Sequence, residues 1–585
     1  MYKHILLLFV LFASTFSKTI EYNWDITYVK ANPDGLFERR VIGVNNDYPI
    51  KPLEGQIGDT ILVNVRNSLD RPTSLHAHGI SFYNNVFSDG ASSVNNCPIM
   101  PGYNYTYKIE LTEQGTYWFH SHSGTDYADG LRAPLIVYPT NQTKHFEYDD
   151  EFILTLSDWY HEEVYNLGKF LSSDKNPGAF EPPPNSGVLN DRPQNVFNIS
   201  TGKTYRVRLI NTSTMGVFHI KVDGHSMSMI EVDGVDIQPV AVSSIMVSPA
   251  QRVSFLFTAK ETDDFNYYIH ADMDPNFYDS IPESLQMNLT ATLNYKDSNS
   301  ISTPEVHEWD DANDMLLIPM EEQIYQEPSE EHIIVSDIMQ LDDGAPHGLI
   351  NGVTYRPPKV PVILSMLTTG ENATNPAIYG PKSNAFVTGF NNTVRIVIEN
   401  VHMDPHPFHL HAHKFQIISV GKGEYANAPK IIPKDNWNPV RRDVVMVPAM
   451  GYVVLQFISN SPGAWPIHCH NNWHMIWGMM GVIVEAPLEA QKMYQSIPQS
   501  VIDTCTRSGF MVSGNGGGGA GFDLSNAPNS PNLINYGIHA KGIIAIIFCI
   551  IAAIIGILST LFYSKQVGAK IAMDKRALLQ PDDQQ

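Results

Sequence analysis

The run His468-Cys469-His470-Asn471-Asn472-Trp473-His474-Met475-Ile476-Trp477-Gly478, followed by Met479, places one thiolate and three imidazoles within seven residues. A Cys with two His and a weak axial Met is a ligand set that selects copper, because soft thiolate and imidazole donors together favour that ion. On an extended strand successive side chains point to opposite faces, so Cys469 faces one way and His468 and His470 the other. One short peptide can therefore serve two metal sites. Three further clusters share the pattern: His76-Ala77-His78-Gly79, His120-Ser121-His122 and His406-Pro407-Phe408-His409-Leu410-His411-Ala412-His413. In each, residues at i and i+2 project from one strand face, as chelating or bridging pairs must. Eleven of the 22 histidines lie in these four segments, two near each end of the folded region, so the chain ends are expected to meet around one metal cluster. Zinc fits this donor set poorly, being neither a Cys-rich structural site nor an isolated three-ligand catalytic one.

In order and spacing, over roughly residues 20 to 490, the four segments resemble the four copper-binding motifs of the multicopper oxidases. The resemblance implies four copper ions: a type 1 copper held by His406, Cys469 and His474 with Met479 axial, a type 2 copper on His76 and His409, and a type 3 pair on His78, His120, His122, His411, His468 and His470. His413 is left as a motif residue without a metal. The implied chemistry takes one electron at a time from an outside reductant and passes it through Cys469 to His468 and His470. Four electrons then reduce dioxygen to water.

The reductants of this family are ferrous iron, cuprous copper and phenols. Glu181, in Phe180-Glu181-Pro182-Pro183-Pro184-Asn185, is similar to the glutamate beside the type 1 site of fungal ferroxidases. Asp274 and Asp279, within Met273 to Pro282, are similar to their iron-path acids. Hard carboxylate oxygens bind ferric more strongly than ferrous iron, which eases electron removal. The thioether of Met479 stabilises oxidised copper and implies a lower potential than a Leu or Phe axial position would give. Two positions depart from the pattern. His402 stands where the fungal enzymes carry a third acid, with Asp404 two residues before His406, and Asn472 stands where many members carry an acid beside the trinuclear cluster. Asp89, in Ser88-Asp89-Gly90, is left as the proton-donating acid. The resemblance thus implies a ferroxidase working with dioxygen and Fe(II), beside an iron permease in the same membrane. A laccase-like phenol oxidase or a cuprous oxidase of the same fold is the alternative.

The scaffold agrees. At 585 residues the chain predicts three or four domains, and 43% hydrophobic residues suffice for several cores. A net charge of −23 argues against nucleic acid, because nothing would neutralise phosphates. Short alternating strands such as Thr60 to Arg66, Tyr103 to Leu111, Thr204 to Ile210 and Thr393 to Ile398, separated by Gly, Pro, Asn and Asp turns, predict an all-β chain of Greek-key sandwiches. By resemblance these are three cupredoxin domains, at 18–140, 141–300 and 332–488, with an acidic connection at 301–331. Lys3, the apolar run Ile5 to Phe12, and small residues Thr15 and Ser17 read as a signal peptide over 1–17. Seven glycosylation sequons follow, at Asn104, Asn141, Asn198, Asn211, Asn288, Asn372 and Asn391. With Cys469 assigned to copper and Cys549 in an apolar run, Cys97 and Cys505 are the pair left for a disulfide.

A tail at 489–541, containing the Gly-rich run Gly514 to Gly521, reads as a flexible tether. It leads to the uncharged segment Ile543 to Tyr563 within a membrane helix at 542–563, long enough to cross a bilayer. Lys565, Lys570, Lys575 and Arg576 follow and place residues 564–585 in the cytosol. The catalytic body is thus expected outside the cell, on the plasma membrane. The weak acidic dileucine pattern Asp574 to Leu579 keeps endosomal, lysosomal or vacuolar membranes open as the alternative.

Overall fold

The computed structural model describes residues 17–140, 142–297, 299–303, 308–533 and 540–579. Asn141 and all but the last residue of the expected signal peptide lie outside the described residues.

Alternating side chains build the outer strands. In Thr60–Asn67, Ile61, Val63 and Val65 are fully buried while Thr60, Leu62 and Asn64 are not. Among the described residues six sheets result: two of four strands within residues 19–138, a six- and a five-stranded sheet within 150–294, and a second six-and-five pair within 330–485. One connection repeats in every pair. Thr19–Ala31 runs parallel to Thr60–Asn67, Asp150–Trp159 to Thr204–Asn211, and Glu330–Gln340 to Thr393–Asn400. The chain is therefore all-β, in three cupredoxin-like sandwiches.

The central strand Thr204–Asn211 is buried almost throughout, because both faces of its sheet are covered. Its two arginines are consequently paired inside. Arg206 donates to Glu231 at 2.6 Å, and Arg208 reaches both oxygens of Glu151 at 2.9 Å. Glu231 also accepts from the backbone N–H and hydroxyl of Thr116 in the first sheet pair, at 2.6 and 2.8 Å. Removing one partner of such a buried pair costs roughly 3–5 kcal/mol.

Four strands carry the chemistry: β1 (Leu75–His78), β2 (Gly115–Ser121), β3 (His406–Leu410) and β4 (Gly463–Cys469). β1 and β2 pair antiparallel with His76 opposite His120. β3 and β4 pair antiparallel with His409 opposite His468 and Phe408 opposite Cys469. All four are buried along their whole length. The expected Cys97–Cys505 disulfide is formed, and it ties the helix Gln499–Arg507 to the first sheet pair.

Two expectations need correction. The Gly-rich run is an ordered cap rather than a flexible tether. Asn515 is fully buried, accepts from the N–H groups of Gly517 and Gly519, and donates to the carbonyls of Gly521 and Asp523. Glycine is needed there because a Cβ on Gly516 would lie 2.3 Å from the Tyr379 carbonyl oxygen. Among the sequons, Asn211 is also unsuited to carry a glycan. Its amide is fully buried and donates to the carbonyls of Gly216 and Val247, both at 2.8 Å. Asn104, Asn198, Asn288, Asn372 and Asn391 are exposed.

A separate unit contains the helix Ala540–Ala577, whose stretch from Gly542 is long and apolar enough to cross a membrane. At 1.5 Å per residue its 38 residues span about 57 Å, well beyond a hydrocarbon core of about 30 Å. The helix therefore continues through the basic residues Lys565 to Arg576 expected to follow the membrane.

Candidate metal centre

The first site forms where β3 begins and the antiparallel β4 ends. Residues three apart on a strand face opposite ways, so His406 points away from His409. Cys469, next to His468, likewise points away from it. After β4 the chain turns into the short helix Asn472–Ile476, whose N-cap Asn471 accepts from the Trp473 N–H at 2.9 Å. This single helical turn returns His474 to the sulfur. Cys469 Sγ lies 3.3 Å from His474 Nδ1 and 3.7 Å from His406 Nδ1, and the two nitrogens are 2.9 Å apart. All three side chains are buried. The centre of such a triangle is about 2 Å from each atom, the length of a bond from a metal to nitrogen or sulfur. Met479 closes the loop by backbone bonds: its N–H donates to the His474 carbonyl at 3.0 Å and its carbonyl accepts from the Cys469 N–H at 3.1 Å.

The remaining histidines meet on the other side of β4. His122, His411 and His468 form one triad, with ring centroids 4.9 to 5.4 Å apart. In it the Nε2 atoms of His122 and His411 approach that of His468 at 3.4 and 3.3 Å. His78, His120 and His470 form a second triad at 5.2 to 5.7 Å. His76 and His409 complete the group at 5.8 Å. The outer nitrogens are fixed by the protein. Nδ1 of His76, His120, His409 and His468 each lies 2.8 to 3.0 Å from a backbone carbonyl oxygen, and Nδ1 of His411 lies 2.9 Å from Asp89 Oδ2. Nε2 of His76, His120 and His409, Nδ1 of His78, and both ring nitrogens of His470 are buried without a hydrogen-bond partner. Burial, then the neighbouring imidazoles, holds His78, His120, His122, His409, His411 and His470 well below the usual histidine range. They are neutral donors with a free lone pair, the form that binds metal. Orphaned buried nitrogens converging in this way fit metal ions, and the mixed imidazole and thiolate set fits copper.

Two groups that support this cluster, Asp443 and Arg252, carry no local signal in the sequence. Asp443 places its backbone carbonyl on His409 and Oδ1 3.2 Å from His78 Nε2. Burial pushes its carboxyl up to about 6 in spite of Arg252, which grips both its oxygens at 2.5 and 2.6 Å. Arg252 in turn explains the glycine of His76-Ala77-His78-Gly79. Gly79 has φ +88°, and a Cβ there would sit 2.4 Å from Arg252 Nη2 and 2.8 Å from Asp443 Oδ2. Asp89 lies between His411 and His76, at 2.9 and 3.2 Å, and accepts from Asn95. Asn472 is buried, and neither of its amide atoms has a side-chain or backbone partner. His413, the histidine left without a metal, lies with Nε2 2.9 Å from the buried Glu485 carboxylate.

The outer face of the first site opens into a cavity of about 160 Å³ lined by Glu181, Asp279, His402, Asp404, Asn471 and His474, among others. Glu181 Oε1 makes a short contact with His474 Nε2, and Oε2 accepts from Asn471 at 3.2 Å. Burial opposes charge on His474, but the Glu181 carboxylate and the Cys469 sulfur outweigh it and push the ring up to about 10. Asp279 accepts from the Glu181 N–H at 3.2 Å. His402 lies with its ring 5.5 Å from that of His406, and its Nδ1 is 3.5 Å from Asp404. Asp274 is not in this lining. It caps the turn Pro275–Phe277 and lies 3.2 Å from His219 Nε2.

Models of the multicopper oxidase family match residues 25–142, 150–298 and 355–489. The chain is 38% identical over 557 residues to the iron transport multicopper oxidase fetC of Epichloe festucae, covering 93% of this chain and 89% of that one. It is 37% identical over 565 residues to fio1 of Schizosaccharomyces pombe, an iron transport multicopper oxidase, with the same coverage. Among solved structures, Fet3p, a multicopper oxidase that functions in iron import, superposes with a TM-score of 0.84 at 28% identity, covering 89% of this chain and all of that one. A laccase from Botrytis aclada superposes at 0.72 and 25% identity, covering 84% and 92%. The sheet pairs, the converging histidines and these matches agree: the chain belongs to the multicopper oxidases.

Proposed function

We propose that this multicopper oxidase is a membrane-anchored ferroxidase, oxidising Fe(II) to Fe(III) and reducing dioxygen to water. The observation that carries the reading is the Glu181 carboxylate, which touches His474 on one side and a solvent cavity on the other. Bound copper would accept single electrons at the sulfur site and supply them to dioxygen at the histidine cluster. His406, Cys469, His474 and Met479 would hold one ion, His76 and His409 a second, and the triads His78–His120–His470 and His122–His411–His468 a pair.

The chain's own residues divide the remaining work. Glu181 and Asp279, with Asp404 at the rim, offer hard oxygens that bind ferric more strongly than ferrous iron. His402 adds an imidazole where a carboxylate was to be expected. The Glu181–His474 contact gives the leaving electron a path through a hydrogen bond, and Cys469 lies in direct covalent sequence with His468 and His470. Asp89 is the carboxyl held against two cluster histidines, and we assign it the delivery of protons to the reducing oxygen. Three domains at 18–140, 141–300 and 332–488 would carry this machinery outside the plasma membrane. The basic residues near the end of the helix would face the cytosol, and ferric product would pass to an iron permease in the same membrane. Steady-state oxidation of ferrous iron, a cuprous complex and a phenol by the copper-loaded protein tests the reading. Ferrous iron should be the best substrate by kcat/KM, and a phenol ahead of it would refute the assignment.

A further inference from the structure

Asp274 lies behind the cavity wall, and what holds it there is a histidine that no motif contains. His219 sits on the strand Phe218–Val222, opposite Met246 on one side and Asp272 on the other. Its Nε2 is 3.2 Å from Asp274 Oδ2 and its Nδ1 is 2.8 Å from Asp311 Oδ2. A neutral imidazole donates from only one nitrogen, so carboxylates at both call for the doubly protonated, charged ring. Burial opposes that charge, but the two carboxylates prevail and push His219 up to about 9. The Trp309 indole covers the ring face at 3.8 Å and 4° between planes, and its Nε1 donates to Asp272, which also pairs with Lys221 at 3.2 Å.

Each of its two carboxylate partners controls a different segment. Asp274 Oδ1 accepts from the Asn276 N–H at 2.9 Å and so fixes the turn whose next residues, Asn276 to Asp279, line the cavity. Asp279 in turn accepts from the Glu181 backbone. Asp311 belongs to the acidic connection, where its Oδ1 accepts from Ser244 at 2.7 Å. We propose that His219 is a positioning residue for the iron cavity, a cationic clip that holds the 274–279 turn against Glu181 and binds it to the 309–311 segment. The proposal rests on the reading that ferrous iron enters by this cavity.

The test uses the copper-loaded protein with His219→Gln, which loses the charge and can donate from one end only. Amide exchange in 276–279 and in 309–311 should quicken about tenfold or more, as the loss of a charged hydrogen bond implies. KM for ferrous iron should rise about fivefold to tenfold. Turnover of a bulky organic reductant and the blue absorption should stay as in the wild type. Asp311→Asn, which keeps an acceptor for Nδ1, should free 309–311 more than 276–279 and serves if His219→Gln does not fold. Wild-type exchange at 276–279 in His219→Gln would overturn the clip, and quickened exchange with unchanged ferrous KM would overturn its link to iron. Glu181→Gln in the same assay separates these failures: if it too leaves ferrous KM and kcat unchanged, the iron reading itself is wrong.

Discussion

Glu181→Gln is the most informative single perturbation at the outer site. The substitution keeps the side-chain length and one oxygen acceptor, but it removes the negative charge beside His474 and one of the three carboxylates that line the cavity. Glu181 Oε1 touches His474 Nε2 and Oε2 accepts from Asn471 at 3.2 Å, so both oxygens are already oriented before iron arrives. A hydrogen bond to a charged group is worth about 1.5–3 kcal/mol, and the same range covers the loss of one ligand charge partly made good by Asp279. At about 1.4 kcal/mol per decade this is a loss of about 10- to 100-fold in kcat/KM for ferrous iron. A bulky organic reductant does not need the carboxylate, and its kcat/KM should change by less than about threefold, a difference below about 0.7 kcal/mol. Stopped-flow bleaching of the blue band by each reductant, under anaerobic conditions, measures this step without the oxygen reaction. Equal losses on both reductants would mean that the substitution damages the sulfur site and that the carboxylate has no special part in iron oxidation.

Three further outcomes follow from the interior. Gly79→Ala should yield protein deficient in cluster metal, because its Cβ would meet Arg252 and Asp443 at φ +88°, and metal analysis after copper loading checks this. Asp89→Ala should slow reoxidation of the fully reduced protein by dioxygen by about 10²- to 10⁴-fold, the usual contribution of a positioned general acid, and leave reduction by ferrous iron unchanged. Burial works against the charge of Glu231, yet Arg206 and Arg208 lower its pKa to about 2, below the ordinary 4.5. The stabilisation is therefore complete above about pH 4.5 and fades as pH falls toward 2, so the melting temperature should drop over that window and Glu231→Gln should flatten the drop.

The converging histidines and Cys469 were legible because their signal is local. A strand fixes the direction of residues i and i+2, so His-x-His pairs and the Cys469 alternation could be read without knowing what the strands pack against. The all-β class was legible for the same reason. Asp443 and Arg252 were not, since their pairing joins positions 191 residues apart and neither has a spacing rule. His219 lacked a signal too, as its partners come from two separate loops. The Gly-rich run misled because composition reports chain entropy but not the buried Asn515 that organises it. Asn211 shows the opposite failure: a sequon is a local pattern, while access to it depends on the fold.

The central claim is that one chain couples ferrous oxidation to complete reduction of dioxygen through a sulfur site built on Cys469. The direct test records ferrous loss and oxygen uptake together, in wild-type and Cys469→Ser protein, with copper content measured in both. Four Fe(II) should be oxidised per dioxygen without released peroxide in the wild type. Cys469→Ser should lose the blue band, hold one copper fewer and show no ferrous oxidase activity. Zinc in place of copper, or ferrous-dependent oxygen uptake that survives Cys469→Ser, would contradict this coupling.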